Sequence, residues 1–188
     1  MHPLTAQSFM SHPYLAFEAS SEVNGATIQL VLAACLVPHI GTQLLTKHGL
    51  PAQPQAEEWY PLQAWLDVLA DLEQRTWEDT IYAAGLRAID LCVWPPNLHT
   101  LSDALAALEQ ACRANIRGQN IGYYQVDELG PHEARVRCLT PTPAEFERGI
   151  LTGLARRYQP ARGLRVRVEP EPTPPNAPRL LKWFRVSW

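Results

Sequence analysis

The side chains best suited to holding a small molecule in this chain are aromatic. Trp59, Tyr60 and Trp65 fall together in "WYPLQAW", and Trp77, Trp94, Tyr123 and Tyr124 sit near the ends of apolar segments. Rings with a polar tip at such places commonly line small-molecule cavities, because one edge packs while the other makes a hydrogen bond. The sequence therefore predicts a pocket walled by Trp59, Tyr60 and Trp65 and closed by Trp94, Tyr123 and Tyr124, with His99 as a polar contact. The competing reading is plain core packing, and Trp65 belongs to the core under either.

Catalytic chemistry is harder to assemble. The chain contains no G-x-S-x-G, H-E-x-x-H, G-x-x-x-x-G-K-[ST] or G-x-G-x-x-G. Its histidines show no metal-ligand spacing. Cys35, Cys92, Cys112 and Cys138 have apolar neighbours and form no C-x-x-C pair, so they read as buried thiols. Glu145 and Glu147 resemble a carboxylate pair, but at a helix N-terminus both already have a structural role. The expectation is a non-enzyme with no catalytic residue, no metal site and no cofactor.

Arginines supply the alternative. Arg135 and Arg137, Arg165 and Arg167, and Arg185 alternate with apolar residues in "ARVRCL", "LRVRVE" and "WFRVSW", which puts them on one face of a sheet. Such a face either is solvated and paired with acids, or forms a platform for anions or nucleic acid, with Trp183 and Tyr123 or Tyr124 as stacking groups. Residues 1–112 hold three basic residues against twelve acids, and residues 113–188 thirteen against seven. The acidic first half, a pI near 6.1 and the lack of a helix-turn-helix, zinc-finger or RNP-like signature disfavour nucleic acid.

The elements that must position these residues follow from periodicity. "SSEVNGATIQLVLAACLVPHIGTQLLTKHGL" reads as a buried helix, kinked or split at Pro38 and closed by Lys47, His48 and Gly49. Pro61 is placed as the first residue of an amphipathic helix with the stripe Leu62, Trp65, Leu66, Leu69 and Leu72, after the acids Glu57 and Glu58. A third helix spans Trp77 to about Leu91. A fourth opens with a Thr100–Asp103 capping box and ends at Arg117-Gly118. A hairpin of "IGYYQV" and "ARVRCL" follows. A further helix has Thr142 as N-cap and Pro143 at its first position, with Gly149 and Gly153 letting its backbone approach the sheet. "LRVRVE" and "LLKWFRVSW" add two strands. The fold class is α+β: an N-terminal helical bundle, then a β-β-α-β-β antiparallel sheet with the helices mainly on one face. Residues 1–19 form an arm and residues 20–188 one ligand-binding domain. The longest apolar run, Ile28–Val37, is too short to span a bilayer, and the first residues lack an export signal, so a cytoplasmic protein with no membrane partner is expected.

The order of "EVNGATIQLVLAACL", "WYPLQAWLDVLADL", "GYYQV", "RVRCLTPTPAEFERGILTGLARRY" and "WFRVSW" resembles the 4-vinyl reductase domain superfamily over roughly residues 20–188. Bacterial ligand-sensing domains, trafficking-particle subunits and, more distantly, haem nitric-oxide/oxygen-binding domains share comparable architectures. The resemblance implies a small molecule held between helices and sheet. The sequence departs from the family in two respects: no cysteine follows Cys138 to build the zinc site of some members, and the Tyr-x-Ser-x-Arg triplet with which the haem-binding relatives hold haem is absent.

The function expected is a sensory or regulatory module binding a small apolar or aromatic ligand, with a closed interaction scaffold as the alternative and nucleic-acid binding after that. The arm, with Phe9, Met10, Tyr14, Leu15 and Phe17, has apolar surface to bury. Reaching to a second subunit would do so and would join acidic to basic halves, which predicts a homodimer.

Overall fold

The structure, a computed structural model, describes residues 14–75, 78–158 and 166–188. Phe9, Met10, Trp77 and Arg165 lie outside the described residues.

The first half is helical. Asn24 ends strand β1 (Glu22–Asn24) and caps helix α1 (Gly25–Ala34), its side chain accepting the Thr27 N–H at 3.0 Å. Pro38 splits the long apolar run: α1 stops at Ala34, and α2 (Pro38–Lys47) restarts with the proline in its first turn. Gly49, at φ 77°, closes α2. Pro61, expected as the first helical residue, instead ends a strand. Trp59–Pro61 is strand β2, with Val23 opposite Tyr60, and α3 (Leu62–Gln74) begins only after Pro61. The reason is steric: a residue before proline is driven out of the helical region, so the helix cannot extend back through Tyr60. Strand β3 (Ile116–Arg117) pairs with the other edge of β1. This small three-stranded sheet was not expected.

Two further predicted helices are each broken in two: α4 (Glu78–Leu86) and α5 (Ala88–Leu91), then α6 (Leu101–Ala106) and α7 (Leu108–Asn115). The Thr100–Asp103 capping box is present. Strands β4 (Tyr123–Gly130), β5 (Glu133–Leu139), β6 (Arg167–Glu171) and β7 (Leu181–Ser187) form an antiparallel sheet in the order β4-β5-β7-β6, with α8 (Ala144–Arg157) between β5 and β6. The architecture is α+β, as predicted. Pro170 is accommodated because β6 is an edge strand.

Two cores result. One joins α1, α3 and α4 around Trp65, Leu66 and Leu69. The other packs Leu105, Leu151 and Leu154 on the inner sheet face of Val136, Phe184 and Val186. Helix α8 belongs to both, with Phe146 in the first core and Ile150 against each. Its glycines approach α4 rather than the sheet. A Cβ on Gly149 would lie 2.3 Å from the Tyr82 carbonyl oxygen, and one on Gly85 2.2 Å from that of Phe146.

The described part of the arm docks on its own chain. The Tyr14 hydroxyl donates to Glu73 at 2.7 Å, and the Ala16 N–H donates to the Gln63 side chain at 2.9 Å. Tyr14 and Ala16 thus have an intramolecular seat, whereas Leu15 is exposed. Among the described residues no helix is long and apolar enough to cross a membrane.

Gly149→Ala is expected to cost about 2–3 kcal/mol in urea unfolding, whereas Gly130→Ala, where a Cβ meets nothing within 4 Å, stays within about 1 kcal/mol. A second expectation concerns Asp71 on α3. Burial pushes its carboxyl up, but Lys47 at 2.6 Å, Arg75 at 3.1 Å and His48 at 3.3 Å outweigh this and hold it at about 2. A depressed folded pKa gives stability that is complete above the unfolded value and lost as pH falls through the folded one. Stability should therefore drop on the order of 1 kcal/mol between pH 4 and 2, and Asp71→Asn should flatten that segment of the pH profile.

Candidate functional site

A cavity of about 60 Å³ lies where the two cores meet. The helical half contributes Thr27, Leu30, Trp65, Ala88, Cys92 and Trp94 to its wall. The second half contributes Ala111, Cys112 and Asn115 of α7, Tyr124 of β4, the turn Thr140–Thr142, and Phe146 and Ile150 of α8. Trp65 and Phe146 meet edge to face, with ring centroids 5.2 Å apart.

Polar groups border this apolar wall at two places. At one, Asn115 is saturated. Its side-chain oxygen accepts from Asn24 Nδ2 and from the Val93 N–H, both at 2.9 Å, and its amide donates to the carbonyls of Val93 and Ala111, both at 2.7 Å. The Thr27 hydroxyl donates to Asn24 at 2.8 Å and lies 3.6 Å from the Cys92 sulfur. At the other, the fully buried Glu147 carboxylate accepts from the hydroxyls of Thr140 and Tyr124, both at 2.6 Å, and from that of Thr142. Lys182 Nζ donates to the carbonyls of Thr140 and Thr142 at 2.8 and 2.7 Å.

The electrostatic consequence is that protons stay on. Burial, and then the Glu147 carboxylate, push the Cys112 thiol up to about 12 and the Cys138 thiol and Tyr124 phenol well above their ordinary values. Burial pushes Cys92 to about 11. Desolvation pulls Lys182 down. These thiols are poor nucleophiles and poor metal ligands. Among the described residues, no group of three or more His, Cys, Asp or Glu side chains could hold a metal ion.

Of the seven residues expected in the pocket, the structure brings three together here: Trp65, Trp94 and Tyr124. Trp94 is fixed by its indole N–H donating to the Ala88 carbonyl at 2.9 Å. The others lie elsewhere. The Arg117 guanidinium stacks over the Trp59 ring at 4.5 Å, and the Tyr60 hydroxyl donates to Glu58 at 2.7 Å. Tyr123 is exposed, and exposed His99 borders a separate pocket of about 400 Å³ with Ser102, His132 and Trp188. The places of Trp59 and Tyr60 follow from β2, which pairs both with β1, and Tyr60 packs at the edge of the core that holds Trp65. Sequence reasoning gave Glu147 only a helix-start role, missed Thr140, Asn24 and Asn115, and took Thr142 for a helix cap. The helix has no side-chain cap, because the Thr142 hydroxyl is spent on Glu147.

The arginine face is paired throughout its described centre. Arg135 and Arg185 each bond Glu171 at 2.6 Å, Arg185 also bonds Glu133 at 2.9 Å, and Arg137 bonds Asp127 at 2.8 Å. The exposed Arg167 extends the row on β6. Acids on the same face neutralise the cations that an anion platform would need.

No family model matches the chain, and no curated protein does. Solved structures do. One is an oxygen-binding H-NOX domain related to soluble guanylate cyclases, in its oxygen complex: 9% identity, TM-score 0.60, covering 87% of this chain and 91% of that one. Another is an H-NOX protein from S. oneidensis in the Fe(II) ligation state: 15% identity, TM-score 0.60, covering 87% and 95%. A third, from work on haem distortion in the H-NOX family, is 10% identical with TM-score 0.63, covering 87% and 92%. The chain shares the H-NOX fold.

Haem does not fit this cavity. Its binding needs a cleft of several hundred Å³ and an axial donor, and the cavity is about 60 Å³ with no histidine in its wall. Cys92, Cys112 and Tyr124 keep their protons, and Tyr124 is committed to Glu147.

The cage itself is testable. Glu147→Ala is expected to lower stability by about 3–5 kcal/mol in urea titration, since three hydroxyls lose a charged acceptor, and Tyr124→Phe by about 1–2 kcal/mol.

Proposed function

We propose that this protein is a non-enzymatic sensory module of the cytoplasm, akin to the 4-vinyl reductase domain superfamily, that binds a small, largely apolar ligand without haem in the cavity between its two cores. The observation that carries this reading is the position of the cavity. Its wall is drawn from both cores, so a ligand seated there contacts α1, α3, α7 and α8 at once and biases how the halves sit together. The shared fold with oxygen-binding H-NOX domains supports a sensory role for this arrangement. Trp65, Trp94 and Tyr124 are the wall residues assigned to ligand contact.

A second reading has its own support. Room for about four waters is little, and a closed core whose surface meets protein partners would leave just such a remnant.

The experiment that separates these readings adds xenon, isobutene and haemin to the purified protein, with thermal shift and two-dimensional NMR as readouts. Ligand binding predicts stabilisation by xenon or isobutene, with shifts concentrated at Trp65, Cys112 and Ile150, and no Soret band of fixed stoichiometry with haemin. No response to the small probes would leave the scaffold. A stoichiometric Soret band would overturn the haem-free assignment.

A further inference from the structure

Two pockets far larger than the seam cavity lie between helix α6 and strand β4, of about 330 and 400 Å³. Such volumes suit small organic molecules. The two share Ser102, Glu128 and Trp188 and so adjoin along one wall. The register of β4 with β5 shifts between Glu128 and Gly130, and a bulge of this kind re-aims the side chains beside it.

Charge narrows the occupant. Among the described residues neither wall contains a lysine or an arginine, and both contain Glu128. Glu109, in the smaller pocket, is already spent: Arg113 Nε donates to it at 2.7 Å and the Tyr124 N–H at 2.8 Å. Elsewhere on the same sheet Asp127, Glu133 and Glu171 each hold an arginine. Glu128 differs. It is exposed, accepts the Ser102 hydroxyl at a long 3.2 Å, and forms no ion pair among the described residues. Because that bond joins two residues common to both pockets, the carboxylate itself stands at their junction.

Aromatic surface lies beside this charge. Trp188 borders both pockets and meets His132 edge to face, with ring centroids 6.4 Å apart, and Tyr158 borders the larger pocket. A carboxylate next to ring faces attracts a cation on both counts. An anion would meet Glu128 with no basic side chain in either wall to offset it, and a neutral molecule would leave it unanswered.

We infer that these adjoining pockets form a second binding site for a small primary amine with an aromatic or apolar body, its ammonium on Glu128 and its body against Trp188 and Tyr158. The site does not depend on the seam cavity, which at about 60 Å³ is too small for such a molecule.

The test compares probes of one shape and different charge: phenethylamine, 2-phenylethanol and 3-phenylpropionate. Each is titrated into the full chain at low salt and followed in the 1H–15N spectrum. Phenethylamine is expected to bind about five-fold more tightly than 2-phenylethanol, with 3-phenylpropionate the weakest. It should move the backbone signals of Glu128 and His132 and the indole signal of Trp188, identified by its loss in Trp188→Phe. Glu128→Gln should bring phenethylamine down to the affinity of the alcohol and leave the alcohol unchanged, and added salt should shrink the preference in the wild type. Equal binding of amine and alcohol, or an amine affinity indifferent to Glu128→Gln, would overturn the ammonium site. Failure of all the probes to bind at millimolar concentration would overturn it too, as would shifts confined to Trp65, Trp94 and Cys112 around the seam. Should Glu128→Gln not fold, the ranking of the probes on the wild type decides.

Discussion

Helices α4 and α8 meet with almost nothing between their backbones: Gly85 lies against Gly149, and the Leu86 carbonyl faces Gly153. A side chain of any size there would push the helices apart. The approach fixes the rotation of α8, and from that rotation the rest follows. Phe146 is delivered to the Trp65 ring, Leu151 and Leu154 to the sheet, and Ile150 to both cores. A helix buried on so many sides cannot spread its contacts along one stripe, so small residues on one face are what permit large ones on the others. The cavity is the space left where these demands do not quite meet.

The same rotation buries a carboxylate, and the surroundings are built to tolerate it. The turn ahead of α8 is Thr140-Pro141-Thr142-Pro143, and two of those residues have no N–H to offer. Hydroxyls take their place, two from the turn and one from Tyr124 on β4. Lys182 on β7 then holds the turn's carbonyls. Glu147 therefore links β4, the turn, α8 and, through the turn, β7. With these hydroxyls engaged among themselves and at Glu147, the cavity beside them keeps a mainly apolar wall.

How much of this could be read in the sequence depended on whether a signal was local. The order of the helices, the four-stranded sheet and the capping box at Thr100 rest on periodicity and on residues three or four apart, and they are legible. Trp59 and Tyr60 were misplaced because a proline can open a helix or end a strand, and here it does both in adjacent residues. Strands β1 and β3 are two or three residues long and owe their existence to partners up to 95 residues away, which no window can contain. Glu147 was legible as a helix-start acid, its commonest role; nothing local indicates that Tyr124, 23 residues earlier, returns to meet it. Gly149 and Gly153 announced a close approach without saying to what.

Solved H-NOX domains share this architecture at 9 to 15% identity, so the fold places few demands on particular residues. What a given chain binds is then decided by what fills the seam between its halves. In this chain the fill is large: Trp65, Phe146, Trp94 and Tyr124 together leave about 60 Å³. Enlarging that space enough for a macrocycle would require withdrawing Trp65 or Phe146, whose mutual contact joins α3 to α8, and each such withdrawal forfeits on the order of 3–5 kcal/mol of packing. That is a large fraction of the stability of a domain this size. The same aromatic contact that narrows the seam leaves a small, mainly apolar space beside it.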